Sequence, residues 1–223
     1  MMHTVLIPGL WLDGSAWDPV LAHLKADATA ITLPGQGDGF ADATLDDQVD
    51  AVVRAIDAVE GPVLLVGHSA ASSLAWLGAD RRTDKVAKVA LIGGMPAQDG
   101  QAYAGFFEPV DGVVAFPGWE PFEGPDSEDL TEQQKAQIAA DAHPVPAAVT
   151  QGVVRLADER RYDIPVVMIC PEFSPEDAKA WVEAGEIPEI AKAGDVSYVD
   201  IDSGHWPMWS KPAELAAILD ELT

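Results

Sequence analysis

The chain is poor in the residues that build metal and redox sites. It has 223 residues and a single cysteine, Cys170, so neither an intrachain disulfide nor a cysteine-based metal cluster is possible. Its five histidines are scattered, and no two of them have the i, i+4 spacing of a helical zinc site. The glycine-rich stretch at residues 35–39 lacks the Gly-x-Gly-x-x-Gly pattern that opens a helix in dinucleotide-binding proteins. We therefore expect no metal ion and no other cofactor.

Basic residues are also scarce. Thirteen lysines and arginines stand against 37 aspartates and glutamates, which gives a formal net charge of −24. Nucleic acids and anionic membranes bind proteins through lysine and arginine, so we expect neither as a partner. We interpret the acidic excess as a solvated surface coat that aids solubility, and the attraction of cationic substrates is the alternative.

Long hydrophobic runs are absent. A membrane-spanning helix needs about 20 consecutive apolar residues, and no stretch of the sequence approaches this length. The chain begins Met-Met-His-Thr and enters an apolar segment at once, without the basic region and cleavage site of a signal peptide. These absences predict a cytoplasmic protein that does not enter a membrane.

Apolar residues nonetheless make up 48% of the chain and are spread along it, which is enough for one sizeable core. Short apolar runs that end at glycine or proline alternate with segments of helical periodicity. This alternation is typical of a mostly parallel sheet with helices on both faces, so we predict one α/β domain over residues 1–223. The predicted strands are residues 4–7, 28–33, 63–66, 86–92, 164–170 and 196–201, and the predicted helices start near residue 15 and cover residues 45–60, 70–79, 175–184 and 212–222.

The alternation breaks between residues 95 and 163. This stretch is rich in proline and glycine, and six aromatic residues lie between Tyr103 and Phe122. We predict that it is an insertion that forms a short cap over one edge of the sheet. One helix is predicted there from residue 130 or 131 to 142, and a second over residues 146–158.

Chemically capable side chains follow three of the predicted strands. Ser69 follows the third strand, Glu172 and Ser174 follow the strand that ends at Cys170, and His205 follows the last. Because the carboxyl ends of parallel strands meet at one edge of a sheet, we expect a serine, a carboxylate and a histidine to lie close together there. A histidine that accepts the serine proton makes a weak hydroxyl nucleophile reactive, and serine, acid, histidine is an established chain order for such triads.

Four motifs in this order resemble those of the α/β-hydrolase superfamily, over essentially the whole chain. The third motif has the form of a nucleophile elbow, a strained turn between a strand and a helix in which small residues flank the nucleophile. Within the superfamily, the short cap and the start of the following helix look similar to the branch of small esterases and hydroxynitrile lyases. The motifs are Ile-Pro-Gly-Leu-Trp at residues 7–11, Leu-Pro-Gly-Gln-Gly at 33–37, Gly-His-Ser-Ala-Ala at 67–71 and Ser-Gly-His-Trp-Pro at 203–207.

The resemblance implies a role for each motif. Ser69 is expected to be the nucleophile and His205 the general base. The backbone amides of Ala70 and Leu10 are expected to form the oxyanion hole, with Trp11 as the next choice for the second donor. The side chains expected to line an apolar substrate pocket are Trp11, Phe106 and Trp206.

The sequence departs from the family pattern at the acid. The usual position of the aspartate holds Ser174, and the strand before the cap, where some relatives keep their acid, ends in two glycines (93–94). Glu172 lies two residues before Ser174, and its longer side chain offsets the distance to the histidine. We therefore predict Glu172 as the third member of the triad, with Asp177, Glu176, a carboxylate elsewhere or none as the alternatives.

The other histidines and the cysteine are expected to have no catalytic role. His3 and His68 lie before or beside the motifs and are interpreted as structural, whereas His143 is expected at the surface or in the pocket. Cys170, at a strand end, is expected to be buried and unreactive.

Together with the resemblance, these residues predict a serine hydrolase that needs no cofactor. It would cleave a small or medium, apolar carboxylic ester or lactone through an acyl-enzyme intermediate. Two alternatives stay open from the sequence: non-hydrolytic chemistry on the same scaffold, such as cyanohydrin or carbon–carbon cleavage, and a ligand-binding protein with an impaired triad. The predicted partner is a small-molecule substrate, and the sequence determines neither its identity nor the oligomeric state.

Overall fold

A computed structural model describes residues 2–223 of the chain. In this range the β-branched and aliphatic runs of the sequence form eight strands. They are β1 (His3–Ile7), β2 (Ala28–Ala30), β3 (Val63–His68), β4 (Val86–Ile92), β5 (Val113–Val114), β6 (Val145–Pro146), β7 (Val166–Cys170) and β8 (Val196–Asp200).

Six of these strands form one sheet in the order β2-β1-β3-β4-β7-β8, and every neighbouring pair is parallel. In the register of the sheet, Val5 lies opposite Leu65 and Ile92 lies opposite Ile169. The short strands β5 and β6 pair separately and antiparallel. Because all six strands run the same way, the loops that follow them gather at one edge. The predicted α/β-hydrolase architecture is confirmed.

Helices pack around the sheet, and none within residues 2–223 has the length and apolar character needed to cross a membrane. Helix α2 begins with the capping box that Thr44 predicts, in which the Asp47 carboxylate accepts from the Thr44 amide at 2.9 Å. The helices are α1 (Asp18–Leu21), α2 (Leu45–Asp57), α3 (Ala71–Arg81), α4 (Glu132–Asp141), α5 (Ala147–Thr150), α6 (Pro175–Glu183), α7 (Pro188–Ala191), α8 (Pro207–Ser210) and α9 (Pro212–Leu222), with 3₁₀ turns at Gly14–Trp17, Glu120–Phe122 and Glu159–Asp163.

The sheet is buried on both faces. Along β3, Val63 and Leu65 belong to one apolar cluster, whereas Leu64 and Val66 belong to the other, as the two-residue period of a strand requires. Helices α2 and α3 cover the first face, and α1 and α9 cover the second. Ten of the eleven residues of α3 are buried, because this helix packs between the sheet and α2. The helix that follows Ser69 therefore lies in the middle of the core.

The prediction of a second helix in the cap is wrong. Over residues 146–158 the chain forms only the short α5, and it then continues in an extended form. At Gly152 it passes so close to Leu45 of α2 that a Cβ would collide. The Asp80 carboxylate accepts from two backbone amides, at residues 157–158, over 2.9 and 2.8 Å. These tertiary hydrogen bonds take the place of helical ones.

Two predicted strands are shorter than expected by two residues or more. Strand β2 ends at Ala30 and not at residue 33, because it lies at the sheet edge and pairs only with β1, whose register ends with Leu6 opposite Ala30. Strand β7 begins at Val166 and not at residue 164. Pro165 has no N–H group to contribute to a ladder, although its carbonyl accepts from Val89 at 3.0 Å.

The cap segment, residues 95–163, lies between β4 and β7, and buried charges anchor its carboxyl-terminal end. Arg161 contacts Asp80 of α3 at 3.2 Å and Glu189 of α7 at 3.0 Å. Glu189 also accepts from the indole nitrogen of Trp76 at 3.1 Å. All three charged side chains are buried, so removal of Arg161 would leave two buried carboxylates without their buried counter-ion. This network ties the end of the cap segment to the helix behind Ser69.

Gly67, near the end of β3, is predicted to tolerate no side chain. A Cβ there would lie 2.7 Å from the carbonyl carbon of Ala71 and 2.9 Å from the amide nitrogen of Ser72. Backbone atoms cannot rotate away, so we expect Gly67→Ala to lower the free energy of unfolding by about 2–3 kcal/mol, measured by urea unfolding. Gly61→Ala is the control, because a Cβ at Gly61 meets no atom within 4 Å. Equal losses in the two variants would contradict the prediction.

Candidate active site

Ser69 stands in a strained turn between β3 and α3. Its φ is +55°, a left-handed conformation that residues other than glycine seldom adopt. Its amide donates to the Ile92 carbonyl of β4 at 2.8 Å. At Gly94 the chain runs so close that a Cβ would collide with the Ser69 carbonyl oxygen. The geometry therefore requires small residues around the turn, and it exposes the Ser69 side chain to a cavity at the carboxyl edge of the sheet.

His205 reaches Ser69 from the loop after β8. Its Nε2 lies 2.8 Å from the Ser69 hydroxyl oxygen. The loop is held by the cap segment, because the His205 amide donates to the Asp126 carbonyl and the Gly204 amide donates to the Asp129 carboxylate, both at 2.7 Å. The structure thus brings the predicted serine and histidine into direct hydrogen-bond contact.

Glu172 is the carboxylate that reaches this histidine. Its Oε1 lies 2.7 Å from Nδ1 of His205. Ser174, at the family's usual acid position, caps helix α6 and donates its hydroxyl to Asp177 at 2.7 Å. Asp177 is therefore engaged at the helix start, and the geometry favours Glu172 among the carboxylates considered from the sequence. With Nδ1–H donating to Glu172, Nε2 is left to accept the Ser69 proton.

Space for Glu172 depends on Gly93, the residue after β4. Its φ is +57°, and a Cβ there would lie 3.3 Å from both Oε2 of Glu172 and Nδ1 of His205. A larger side chain at this position would crowd the pair. The absence of an acid after β4 thus leaves room for a carboxylate that comes from the end of β7.

The amides expected to form the oxyanion hole donate to no backbone acceptor in the part of the chain that the structure describes. Among the backbone hydrogen bonds of residues 2–223, none is donated by Leu10 or Ala70. Leu10 and Ser69 also line the same cavity. Trp11, the alternative donor, has a φ of +67° and donates its indole N–H to the Val114 carbonyl of the cap segment at 3.2 Å. The loop after β1 is therefore turned sharply and fastened to the cap.

The cavity beside Ser69 has a volume of about 210 Å³ and mostly aromatic walls. Trp11 meets Phe107 and Phe116 edge to face, with ring centroids 5.2 and 5.4 Å apart. Phe106 is 65% exposed and lies at the rim, whereas Trp206 is buried. Each of the three side chains expected in the pocket lines it. The complete lining is Leu10, Trp11, His68, Ser69, Phe106, Phe107, Phe122, His205 and Trp206.

His68 supports the histidine loop from the sheet. Its Nε2 lies 2.7 Å from the His205 carbonyl oxygen and donates to it. The ring is 1% exposed, and burial together with the neighbouring His205 lowers the pKa of His68 from 6.5 to about 3. His68 is therefore a neutral, fixed donor and not a proton carrier.

The cap residues that hold the His205 loop were missed from the sequence. Asp126 and Asp129 lie in an acidic run after Gly124, and this pattern does not distinguish a structural aspartate from a solvated one. Burial and the nearby charge of Glu172 raise the pKa of Asp126, although His205 opposes this. Only the folding of the cap onto the sheet edge reveals their role.

The remaining candidates from the sequence lie beside the site. His143 contacts the Asp13 carboxylate at 2.8 Å, and its amide donates to the Trp11 carbonyl at 2.8 Å. Burial raises the pKa of Asp13, but hydrogen bonds from Ser15 and His143 outweigh this effect and lower it. Cys170 is buried, which raises the pKa of its thiol to about 12. Across residues 2–223, no three histidine, cysteine, aspartate or glutamate side chains are grouped to hold a metal ion.

A parallel sheet that presents a serine, a histidine and a carboxylate at its carboxyl edge, in that chain order, defines an α/β-hydrolase. The family model described as "Alpha/beta hydrolase family" matches residues 4–218, and the chain belongs to this family. The resemblance stated from the sequence motifs is therefore confirmed at the level of the family.

Known relatives extend over nearly the whole chain. Lipase LipV of Mycobacterium tuberculosis is 26% identical, with 96% of this chain and 90% of the lipase covered. An extracellular alpha/beta-hydrolase from a Paenibacillus species has a TM-score of 0.78 at 17% identity, with 99% and 98% of the two chains covered. A methylesterase from Arabidopsis has a TM-score of 0.76 at 19% identity, with 100% and 98% covered. The family and the curated relative support hydrolase activity, and the two solved structures share the fold.

Burial of His68 predicts a specific loss of stability in acid. Between pH 6.5 and about 3 the unfolded chain binds a proton at this ring that the folded chain does not, so stability falls as the pH drops through this window. From pH 7 to pH 4 we expect the free energy of unfolding to fall by about 3 kcal/mol more in the wild type than in His68→Asn. Urea unfolding at several pH values measures both, and His23→Asn, at an exposed histidine, is the control. Parallel pH profiles for wild type and His68→Asn would refute the assignment.

Proposed function

We propose that the protein is a serine hydrolase that cleaves a small or medium, apolar carboxylic ester or lactone through an acyl-enzyme intermediate. The observation that carries the proposal is the hydrogen-bonded chain from Glu172 through His205 to Ser69, which ends in an apolar cavity. The reaction as proposed needs no cofactor, and its partner is a small-molecule substrate.

Each group of the site has one task in this reaction. Ser69 attacks the carbonyl carbon while Nε2 of His205 takes the hydroxyl proton, and the Glu172 carboxylate stabilises the imidazolium. The amides of Leu10 and Ala70 donate to the oxygen that becomes negative. His205 then protonates the leaving alkoxide, and the alcohol departs. Water repeats the sequence on the acyl-enzyme and releases the carboxylic acid, whereas a lactone yields one hydroxy acid.

The cavity supports an apolar substrate of limited size. A volume of about 210 Å³ lies below the usual range of about 300–1,000 Å³ for drug-sized ligands. Five of the nine lining residues are aromatic, and none is a lysine, arginine, aspartate or glutamate. A charged group on the substrate would lose its hydration there without gaining a partner. An uncharged ester therefore fits best.

The alternatives considered from the sequence have less support. For cyanohydrin or carbon–carbon cleavage, the residues that line the cavity offer no specific argument beyond the same serine and histidine. A pure binding protein has no use for a serine and a histidine 2.8 Å apart with a carboxylate behind them. The similarity to a lipase and to a methylesterase also supports ester hydrolysis.

Ser69 should react with an activated phosphonate. On incubation with a p-nitrophenyl phosphonate ester, we expect one phosphonyl group on Ser69 and release of p-nitrophenol, detected by intact-protein and peptide mass spectrometry. Ser69→Ala should form no adduct and should lose at least about a thousandfold of the turnover of short-chain aryl esters. Ser73→Ala, a change in the helix that follows Ser69, should keep both. Failure of the wild type to form the adduct would contradict the proposal.

Glu172 should be the carboxylate that supports His205. We expect Glu172→Gln to lower kcat by about 10²–10⁴, because the amide no longer stabilises the imidazolium and favours the wrong histidine tautomer. Asp177→Asn is the matched control, since it makes the same chemical change at the start of α6. Steady-state kinetics on one aryl ester tests both variants. A decrease under threefold in Glu172→Gln would transfer the role to another group.

A further inference from the structure

Two glutamines behind the loop after β1 are completely buried. Gln36 and Gln48 both have 0% exposure, although glutamine is normally a surface residue. Nε2 of Gln36 lies 3.0 Å from the Gly9 carbonyl oxygen and 2.8 Å from the Leu12 carbonyl oxygen. Nε2 of Gln48 lies 2.9 Å from the Pro34 carbonyl and 3.2 Å from Oε1 of Gln36. Burial of an amide side chain costs free energy that its hydrogen bonds must offset, and a network of such bonds fixes the positions of the groups that it joins.

The partners determine the direction of this hydrogen-bond chain. Carbonyl oxygens only accept, so both N–H bonds of Gln36 must point at Gly9 and Leu12. Its Oε1 must then accept from Gln48, whose second N–H is used by Pro34. Each amide therefore has one allowed orientation, and α2 is connected through Gln36 to both ends of the loop after β1.

The bond to Gly9 acts on the amide of Leu10. The Gly9 carbonyl and the Leu10 N–H belong to one planar trans peptide and point in opposite directions. When Gln36 holds the carbonyl, it also holds the N–H on the opposite side. The Gly9 oxygen accepts a second bond, from the Leu12 amide at 3.3 Å, and bonds to a carbonyl polarise its peptide and make the N–H a better donor.

We propose that Gln36, oriented by Gln48, is a positioning residue that aims and strengthens the Leu10 donor of the oxyanion hole. The inference rests on the proposed function, because it assigns Leu10 to the oxyanion that forms during attack by Ser69. Gln36 touches no reacting atom and acts only through the Gly9–Leu10 peptide. Its contribution therefore belongs to the transition state and not to substrate binding.

Gln36→Met tests this with an apolar side chain of similar length. We expect kcat for an aryl ester to fall about 10- to 100-fold with KM changed less than about threefold, since loss of a whole oxyanion donor costs about 10²–10³. Affinity for a trifluoromethyl ketone, which forms a tetrahedral adduct, should fall in parallel. Gln134→Met is the control, because Gln134 also donates to a carbonyl, that of Trp209 at 2.9 Å, but lies on α4. This control should keep wild-type kinetics.

A matched thionoester separates positioning from general damage. Sulfur accepts hydrogen bonds weakly, so the thionoester depends less on the oxyanion donors. The ratio of kcat/KM for the oxygen ester to that for the thionoester should fall about tenfold in Gln36→Met. Equal losses of kcat/KM on both substrates, or a wild-type kcat in Gln36→Met, would overturn the inference. If Gln36→Met does not fold, Gln48→Met is tested in the same way. We expect its substrate ratio to fall three- to tenfold, and an unchanged ratio would overturn the inference.

Failure of the proposed function is distinguishable from failure of this inference. A wild-type protein that neither forms the phosphonate adduct nor turns over esters contradicts the hydrolase itself. A wild-type protein that does both, beside a Gln36→Met variant with an unchanged substrate ratio, contradicts only the role of Gln36.

Discussion

The site depends on one constraint, the close approach of three backbone segments around Ser69. The serine has a φ of +55°, its amide is bonded to β4, and Gly67 and Gly94 leave no space for a Cβ. Such strain persists only where the surrounding structure holds it, and here the nearly fully buried α3 and the parallel sheet do so. Once this turn is formed, the Ser69 hydroxyl has one position, and every other group of the site is placed relative to it.

The rest of the site is a set of loops fastened to each other at the sheet edge. His205 is held on one side by His68 and on the other by Asp126 of the cap segment. The loop after β1 is held by the buried Gln36 on one side and by the cap through Trp11 on the other. These supports are hydrogen bonds to backbone atoms, so they position the reacting groups without adding charge to the cavity. The cap segment thus has two tasks, because it encloses the cavity and also orients the histidine.

Much of the site was predictable because short sequence patterns identify its residues. An apolar strand that ends at a small-residue turn identifies Ser69, and the same rule applied to the other strand ends identifies His205 and Glu172. The acid was ambiguous in the sequence, because Ser174, Glu176 and Asp177 lie within a few residues of Glu172 and side-chain direction after a strand end depends on the loop. The contact between Glu172 and His205 at 2.7 Å and the space beside Gly93 favour Glu172, and both depend on the tertiary structure.

The sequence by itself determined the sheet, the order of its helices and the residues that meet at its carboxyl edge, because periodicity and turn chemistry act over a few residues. Only the tertiary structure decided what long-range contacts control. Residues 152–158 form no helix because Asp80 and Leu45 meet them from other elements. In the sequence Gln36 is part of a glycine-rich loop, and only the folded structure shows that it is buried and donates to the Gly9 carbonyl. Buried polar groups must find partners wherever the chain places them, and no local pattern records which partners those are.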